Sequence, residues 1–212
     1  MEQAQMDPKA MYKISYGLYI CTARDGEKRN GCILNTAVQV ASDPNCISIA
    51  VNKMNLTHDM IRKTHECNLS VISTEADFEL FKRFGFQTGR EADKFENYAY
   101  YKTAQNGIPY ITQGTNAYFS LAVKNEADLG SHTLFLCEPT FMTVLKDVSS
   151  CTYAYYQSDI KPKPQPAAKT NEGKTIWRCT ICGYEWVGEE LPDDFICPIC
   201  KHPKADFEKI TG

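Results

Sequence analysis

Long apolar runs are absent from this 212-residue chain, and nothing in it approaches the roughly 20 residues that a membrane-spanning helix needs. The first residues, Met1 to Pro8, have neither a basic start nor an apolar stretch, so no secretory signal is expected. No G-x-G-x-x-G and no G-x-x-x-x-G-K-[ST] occurs, which argues against a Rossmann or P-loop nucleotide site. Clustered Lys and Arg are also missing, and a net charge of −3 without a basic patch argues against nucleic acid as a partner. No internal repeat is visible.

What is present is an ordinary globular composition, 43% apolar and 23% charged. The length suits one domain of usual size and one small one. Charge is unevenly shared. From Thr175 to Gly212 there are seven acidic residues against four basic ones, whereas the remainder balances at nineteen of each. The ten cysteines divide as unevenly. Cys21, Cys32, Cys46, Cys67, Cys137 and Cys151 stand singly in apolar surroundings and, with no export signal, read as reduced core thiols of a cytoplasmic protein.

The other four form two Cys-x-x-Cys knuckles, Cys179 with Cys182 and Cys197 with Cys200. Two intervening residues let each knuckle aim both sulfurs at one point, so four thiolates can surround one tetrahedral ion, zinc or iron. A segment this short hardly folds without its ion. Gly183 follows the second cysteine and Pro198 the third. Around them stand Trp177, Tyr184, Trp186, Phe195 and Phe207, and the run from Leu191 to Pro198 reads Leu-Pro-Asp-Asp-Phe-Ile-Cys-Pro. In these features residues 175–211 resemble a rubredoxin domain in its trimmed, fused form. The resemblance implies one iron on four cysteines, in a dry aromatic shell that tunes its potential. Lys201 departs from it, standing where rubredoxins usually carry glycine; a left-handed backbone there costs roughly 1 kcal/mol or more.

Ahead of the knuckles the pattern is mainly β. Strands are expected over Tyr12 to Thr22, Gly31 to Val40 and Cys46 to Asn52, the first two joined by a turn at Asp25-Gly26 in an antiparallel meander. Thr57 is placed to cap a helix from His58 to about Glu66, with Met60, Ile61 and His65 turned inward. A strand follows at Asn68 to Ser73, then a helix from Asp77 to Phe84 with Phe78, Phe81 and Phe84 on its core face. Ile108 to Thr112, Ala117 to Glu126 and His132 to Leu145 complete the strands. The fold class expected is mainly β, a split β-barrel with short helices at its rim plus the small iron-binding domain. Residues 161–174 carry three prolines and read as a linker, spanning roughly 30 to 40 Å at about 3 Å per residue, between domains at 1–160 and 175–212.

Two stretches of the larger domain offer polar groups for an anionic ligand. Gly31 leads to Asn35 and Thr36, and Asn52, Lys53, Asn55 and Thr57 bring amides, a cation and a hydroxyl to a helix start, where free N–H groups favour an anion. Taken alone these features fit helix caps and turns equally well. With Ser131-His132-Thr133-Leu134-Phe135-Leu136 they resemble the flavin reductase-like family, whose members bind FMN in a split β-barrel. The resemblance covers residues 11 to about 157. It implies that Asn35, Thr36, Asn52, Lys53, Asn55 and Thr57 bind FMN, that His132 lies near its ring or a nicotinamide, and that two copies form a homodimer with flavin near the interface. Ser131 stands where many members have an acidic residue, and Cys137 where they often have glycine.

The two resemblances together point to the high-molecular-weight rubredoxins, and imply a relay from NAD(P)H through FMN to the iron of Cys179, Cys182, Cys197 and Cys200. In that group the electron acceptor is typically a flavodiiron protein that reduces oxygen or nitric oxide. Two other readings use the same residues: a flavin-binding adaptor with a structural zinc knuckle, and a reductase that releases reduced flavin.

Overall fold

The computed structural model describes residues 6–162, 175–180, 184–197 and 203–210. A 3-10 helix at Pro8–Lys13 precedes the first strand, β1, which runs Tyr19–Asp25. The expected strand from Tyr12 is therefore corrected: its first part turns as a helix, and ladder pairing starts only at Tyr19. A tight turn with Gly26 at φ +58° leads into β2, Lys28–Leu34, and pairs every residue from Tyr19↔Leu34 to Asp25↔Lys28.

The expected single strand from Gly31 to Val40 is two strands. Leu34 still pairs with β1, but Ala37 begins β3, Ala37–Ser42, which pairs with β4, Asn45–Asn52. Asn35 and Thr36 carry the chain from one strand to the other, and the Thr36 hydroxyl donates to the Ala50 carbonyl at 2.6 Å. Helix α1, Leu56–Thr64, follows, then β5, Glu66–Ile72, and α2, Phe78–Gly85. Short strands β6, Tyr101–Thr103, and β7, Pro109–Ile111, form a sheet of their own. The long hairpin of β8, Thr115–Asp128, and β9, His132–Val144, comes next, then a single turn α3, Tyr153–Tyr155, that runs on into a π-helical turn.

Seven strands make one antiparallel sheet in the order β2-β1-β5-β8-β9-β4-β3. The split β-barrel is thereby corrected: among the described residues no sheet closes on itself. β2 and β3 stand at opposite edges of the sheet with only Asn35 and Thr36 between them, and among the described residues no ladder pairs these two edges, so the meander is interrupted there. A groove of about 340 Å³ lies over this sheet, lined among others by Tyr19, Ala37, Ile47, Leu69, Phe119 and Met142.

The central strands are buried on both faces, which places a core on each. Cys21, Ala23, Cys67 and Leu69 point one way and pack with Met60 and Ile61 of α1 and Phe135 of β9. Leu18, Ile20 and Ile72 point the other way, onto Leu80, Phe81 and Phe84 of α2 and onto Tyr156. Alternation along a strand makes this division, and burial of these side chains stabilises it by roughly 1.5–3 kcal/mol each. Asp77 caps α2, its carboxylate accepting from the Leu80 amide at 3.0 Å.

The C-terminal segment forms a separate sheet, β11-β10-β12, from β10 at Ile176–Cys179, β11 at Glu185–Val187 and β12 at Phe207–Ile210. The linker residues 163–174, Lys201 and two of the expected ligands, Cys182 and Cys200, lie outside the described residues. Among the described residues no helix is long and apolar enough to cross a membrane.

Candidate functional site

Most of the polar residues singled out in the larger domain meet at one end of the seven-stranded sheet. Asn52, the last residue of β4, pairs with His132, the first of β9. One residue on, the Lys53 amide donates to the Ser131 carbonyl at 3.0 Å, which ties the start of the α1 loop to the β8–β9 hairpin. The Asn52 side chain accepts from the Met54 amide at 2.9 Å and shapes that loop. Thr36, through its bond to Ala50, brings Asn35 to the same strand end, and both are partly buried. His132 is also partly buried, its Nδ1 lying 2.8 Å from the Ser131 hydroxyl.

Lys53 is the cation of this group, and it has a partner that sequence reasoning missed. Its Nζ donates to Asp128 Oδ1 at 2.7 Å. Hydrogen bonding from Lys53 and from the Gly130 amide holds the Asp128 carboxyl below the usual carboxylate range. Asp128 lies 75 positions from Lys53 in the chain, so no local pattern marks the pair.

The helix start differs from expectation. Asn55, not Thr57, occupies the cap position of α1, and its side chain makes no capping bond. Thr57 is completely buried and accepts from the Asn30 amide nitrogen at 3.0 Å. Its hydroxyl faces β2, because the buried Asn30 side chain needs an acceptor there. His65 is exposed and adopts a left-handed backbone at the end of α1, φ +58°, so it does not turn inward; Met60 and Ile61 do. A Cβ on Gly31 would stand 3.1 Å from the Phe84 ring and from the Thr22 methyl, tighter than ordinary packing.

Two further polar arrangements had no sequence signal. His58 is buried, with Nε2 at 2.8 Å from the Thr133 hydroxyl and Nδ1 at 3.0 Å from Asp59. Asp59 in turn accepts from Arg90 at 2.7 Å, and its carboxyl is held low by the His58 bond and then by Arg90. These bonds tie α1 to β9 at Thr133, the residue next to His132. Lys94 is buried too, donating to the carbonyls of Gly31 at 2.8 Å and Phe84 at 3.0 Å, and burial lowers its pKa to about 8.

In the C-terminal sheet, Cys179 and Cys197 are buried in one cluster with Leu191 and Phe207. Trp177, Tyr184, Trp186 and Phe195 pack against it, so all five aromatic residues expected around the knuckles gather with Cys179 and Cys197. Phe195 meets Phe207 edge-on at 5.4 Å. The Cys179 amide donates to the Tyr184 carbonyl at 2.8 Å. Two buried cysteines walled by aromatic rings suit a soft, tetrahedral ion kept from water. Among the described residues no cluster of three metal-binding side chains gathers.

Comparison with known proteins fits this division. Residues 11–163 match the flavin reductase like domain, and residues 177–208 match the rubredoxin-like domain of rubrerythrin. The chain is 36% identical to the high molecular weight rubredoxin of Moorella thermoacetica, over 97% of this chain and 100% of that protein. It is 40% identical to the ferric-chelate reductase (NAD(P)H) of Archaeoglobus fulgidus, over 80% of this chain and all of the relative. Among solved structures, the NADH:FAD oxidoreductase of Streptomyces globisporus superposes with a TM-score of 0.62 at 20% identity, covering 72% of this chain and 93% of that one, a likeness of fold alone. The chain belongs to the flavin reductase like domain family and carries a rubredoxin-like domain at its C-terminal end.

Proposed function

We propose that this protein is an electron-transfer oxidoreductase that moves electrons from NAD(P)H through FMN to one iron ion, and then to a partner protein. The observation that carries the reading is the convergence of Asn35, Thr36, Asn52, Lys53 and His132 on one sheet end, in a chain that also encloses cysteines in an aromatic shell. Relatives named as a ferric-chelate reductase (NAD(P)H) and a high molecular weight rubredoxin support both halves. FMN, when bound, accepts hydride and releases electrons singly, the conversion that a nicotinamide donor and a single iron require.

The chain's own part is to hold and orient. Lys53 supplies charge for the phosphate, and the first amides of α1, which no Asn55 side chain caps, supply further donors. Asn35, Thr36, Asn52 and Asn55 supply amides and a hydroxyl for the ribityl chain. Thr57 supports the site through Asn30. His132, fixed by Ser131 and by its pairing with Asn52, borders the ring. The apolar groove includes Ala37, next in the chain to Thr36. Val38 and Val40 on edge strand β3, with Phe141, Met142 and Val144 on β9, are 43 to 73% exposed, which supports a homodimer that covers them. Cys179, Cys182, Cys197 and Cys200 hold the iron, walled by Trp177, Tyr184, Trp186, Phe195 and Phe207.

The acceptor we propose is a flavodiiron-type protein, met through the acidic C-terminal domain. Anaerobic titration with NADH and with NADPH, following flavin and iron absorption separately, tests the scheme. Bleaching of both by one of the two donors supports it. Iron that stays oxidised while flavin bleaches removes the relay. A second reading is favoured by the ferric-chelate reductase relative, which covers the larger domain: here the flavin site reduces a small ferric complex directly. A chain ending at Asp159 that reduces ferric chelate as fast as the whole protein favours that reading.

A further inference from the structure

We propose that Asp128 is a selectivity residue of the sheet-end site, setting how strongly a phosphorylated ligand is preferred over its unphosphorylated form. The inference rests on the reading that this end holds a flavin with its phosphate at Lys53. Asp128 Oδ1 accepts from Lys53 Nζ and from the Gly130 amide, each at 2.7 Å. The Lys53 side chain is 35% exposed and that of Asp128 72%, so both are open to an incoming ligand. Arg62 also lies near Asp128, but its guanidinium bonds Glu126 at 2.9 Å. Lys53 and Asp128 together carry no net charge.

A phosphate that bonds the Lys53 ammonium competes with the Asp128 carboxylate for it and stays close to that carboxylate. Like charges at that separation repel, so part of the attraction of Lys53 is cancelled. An unphosphorylated ligand meets no such competition. Asp128 therefore lowers the preference for the phosphorylated ligand and keeps it exchangeable. The carboxylate also makes the turn that orders the hairpin tip, since Gly130 sits at φ +79° and donates back to it. Asp128→Asn keeps an oxygen acceptor for that amide and removes only the charge.

The test is equilibrium binding of FMN and of riboflavin to the full-length protein at low salt, for wild type, Asp128→Asn, Lys53→Met and the double variant. Exposed pairs of this kind change affinity by a few-fold at most, so FMN should bind Asp128→Asn roughly two- to fivefold more tightly, with riboflavin unchanged. In the Lys53→Met background that gain should shrink, because no ammonium is left to release. An FMN-to-riboflavin ratio that is unchanged or lower in Asp128→Asn overturns the role of Asp128 while leaving the flavin site in place. Wild-type protein that binds neither flavin overturns the flavin-site reading, and the inference falls with it.

Discussion

Asn52 and His132 face each other across β4 and β9, eighty positions apart in the chain, and Lys53 and Ser131 beside them are joined by a backbone hydrogen bond. That pairing brings a helix start, a cation and an imidazole to one strand end. Each group is ordinary alone. Their meeting is what the proposed flavin site rests on.

Lys53→Ala removes the charge proposed for the phosphate. A charged hydrogen bond is worth about 1.5 to 3 kcal/mol, so FMN affinity should fall roughly ten- to hundredfold. Fluorescence titration of apoprotein measures it, and an unchanged affinity moves the phosphate elsewhere.

Thr57→Val tests whether that hydroxyl is structural. It leaves the buried amide of Asn30 without its acceptor, so unfolding free energy should drop by about 1 to 3 kcal/mol. Denaturant melts read on the larger domain check this. A variant as stable as wild type contradicts the assignment.

Lys94 gives the stability a pH dependence of known sign. Its folded-state pKa lies near 8, against 10.5 as the ordinary value, so between these limits the unfolded chain binds more protons. Stability should therefore rise with pH from about 8 to 10.5, by an amount of order 3 kcal/mol relative to Lys94→Met. The comparison between the two proteins isolates this residue from others that titrate. Parallel pH profiles rule it out.

Cys197→Ser should remove the iron colour and unfold residues 175–212, while the larger domain keeps its melting transition. A domain this small depends on its ion. Metal analysis and two-wavelength melts read the two outcomes separately, and full iron content in the variant contradicts the ligand assignment.

Much of this was legible in the sequence where the cause is local. The aromatic shell around Cys179 and Cys197 follows from residues within one short segment. Strand β4 and helix α2 lie where alternation, the phenylalanines and Asp77 place them. Long-range causes stayed hidden. Asn35 and Thr36 look like part of one strand until Ala50 is known to accept the Thr36 hydroxyl. Thr57 reads as a helix cap because its buried partner, Asn30, lies 27 positions earlier. The open order of the sheet depends on which edges meet, and no single strand carries that information. Asp128 and the bond from His58 to Thr133 are invisible for the same reason.

Pre-steady-state reduction of the intact protein, with flavin and iron intact, bears most directly on transfer from FMN to a tethered iron. After anaerobic mixing with the effective nicotinamide, flavin should bleach first and iron second, at an iron rate that does not change on dilution. A short flexible tether supplies an effective concentration of order mM. The same iron domain added as a separate fragment, residues 170–212, to a chain ending at Asp159 should be reduced far more slowly at micromolar protein, and faster as concentration rises. Equal iron rates for the tethered and separate forms under dilution, or iron in the intact chain that stays ferric after the flavin has bleached, would contradict internal transfer.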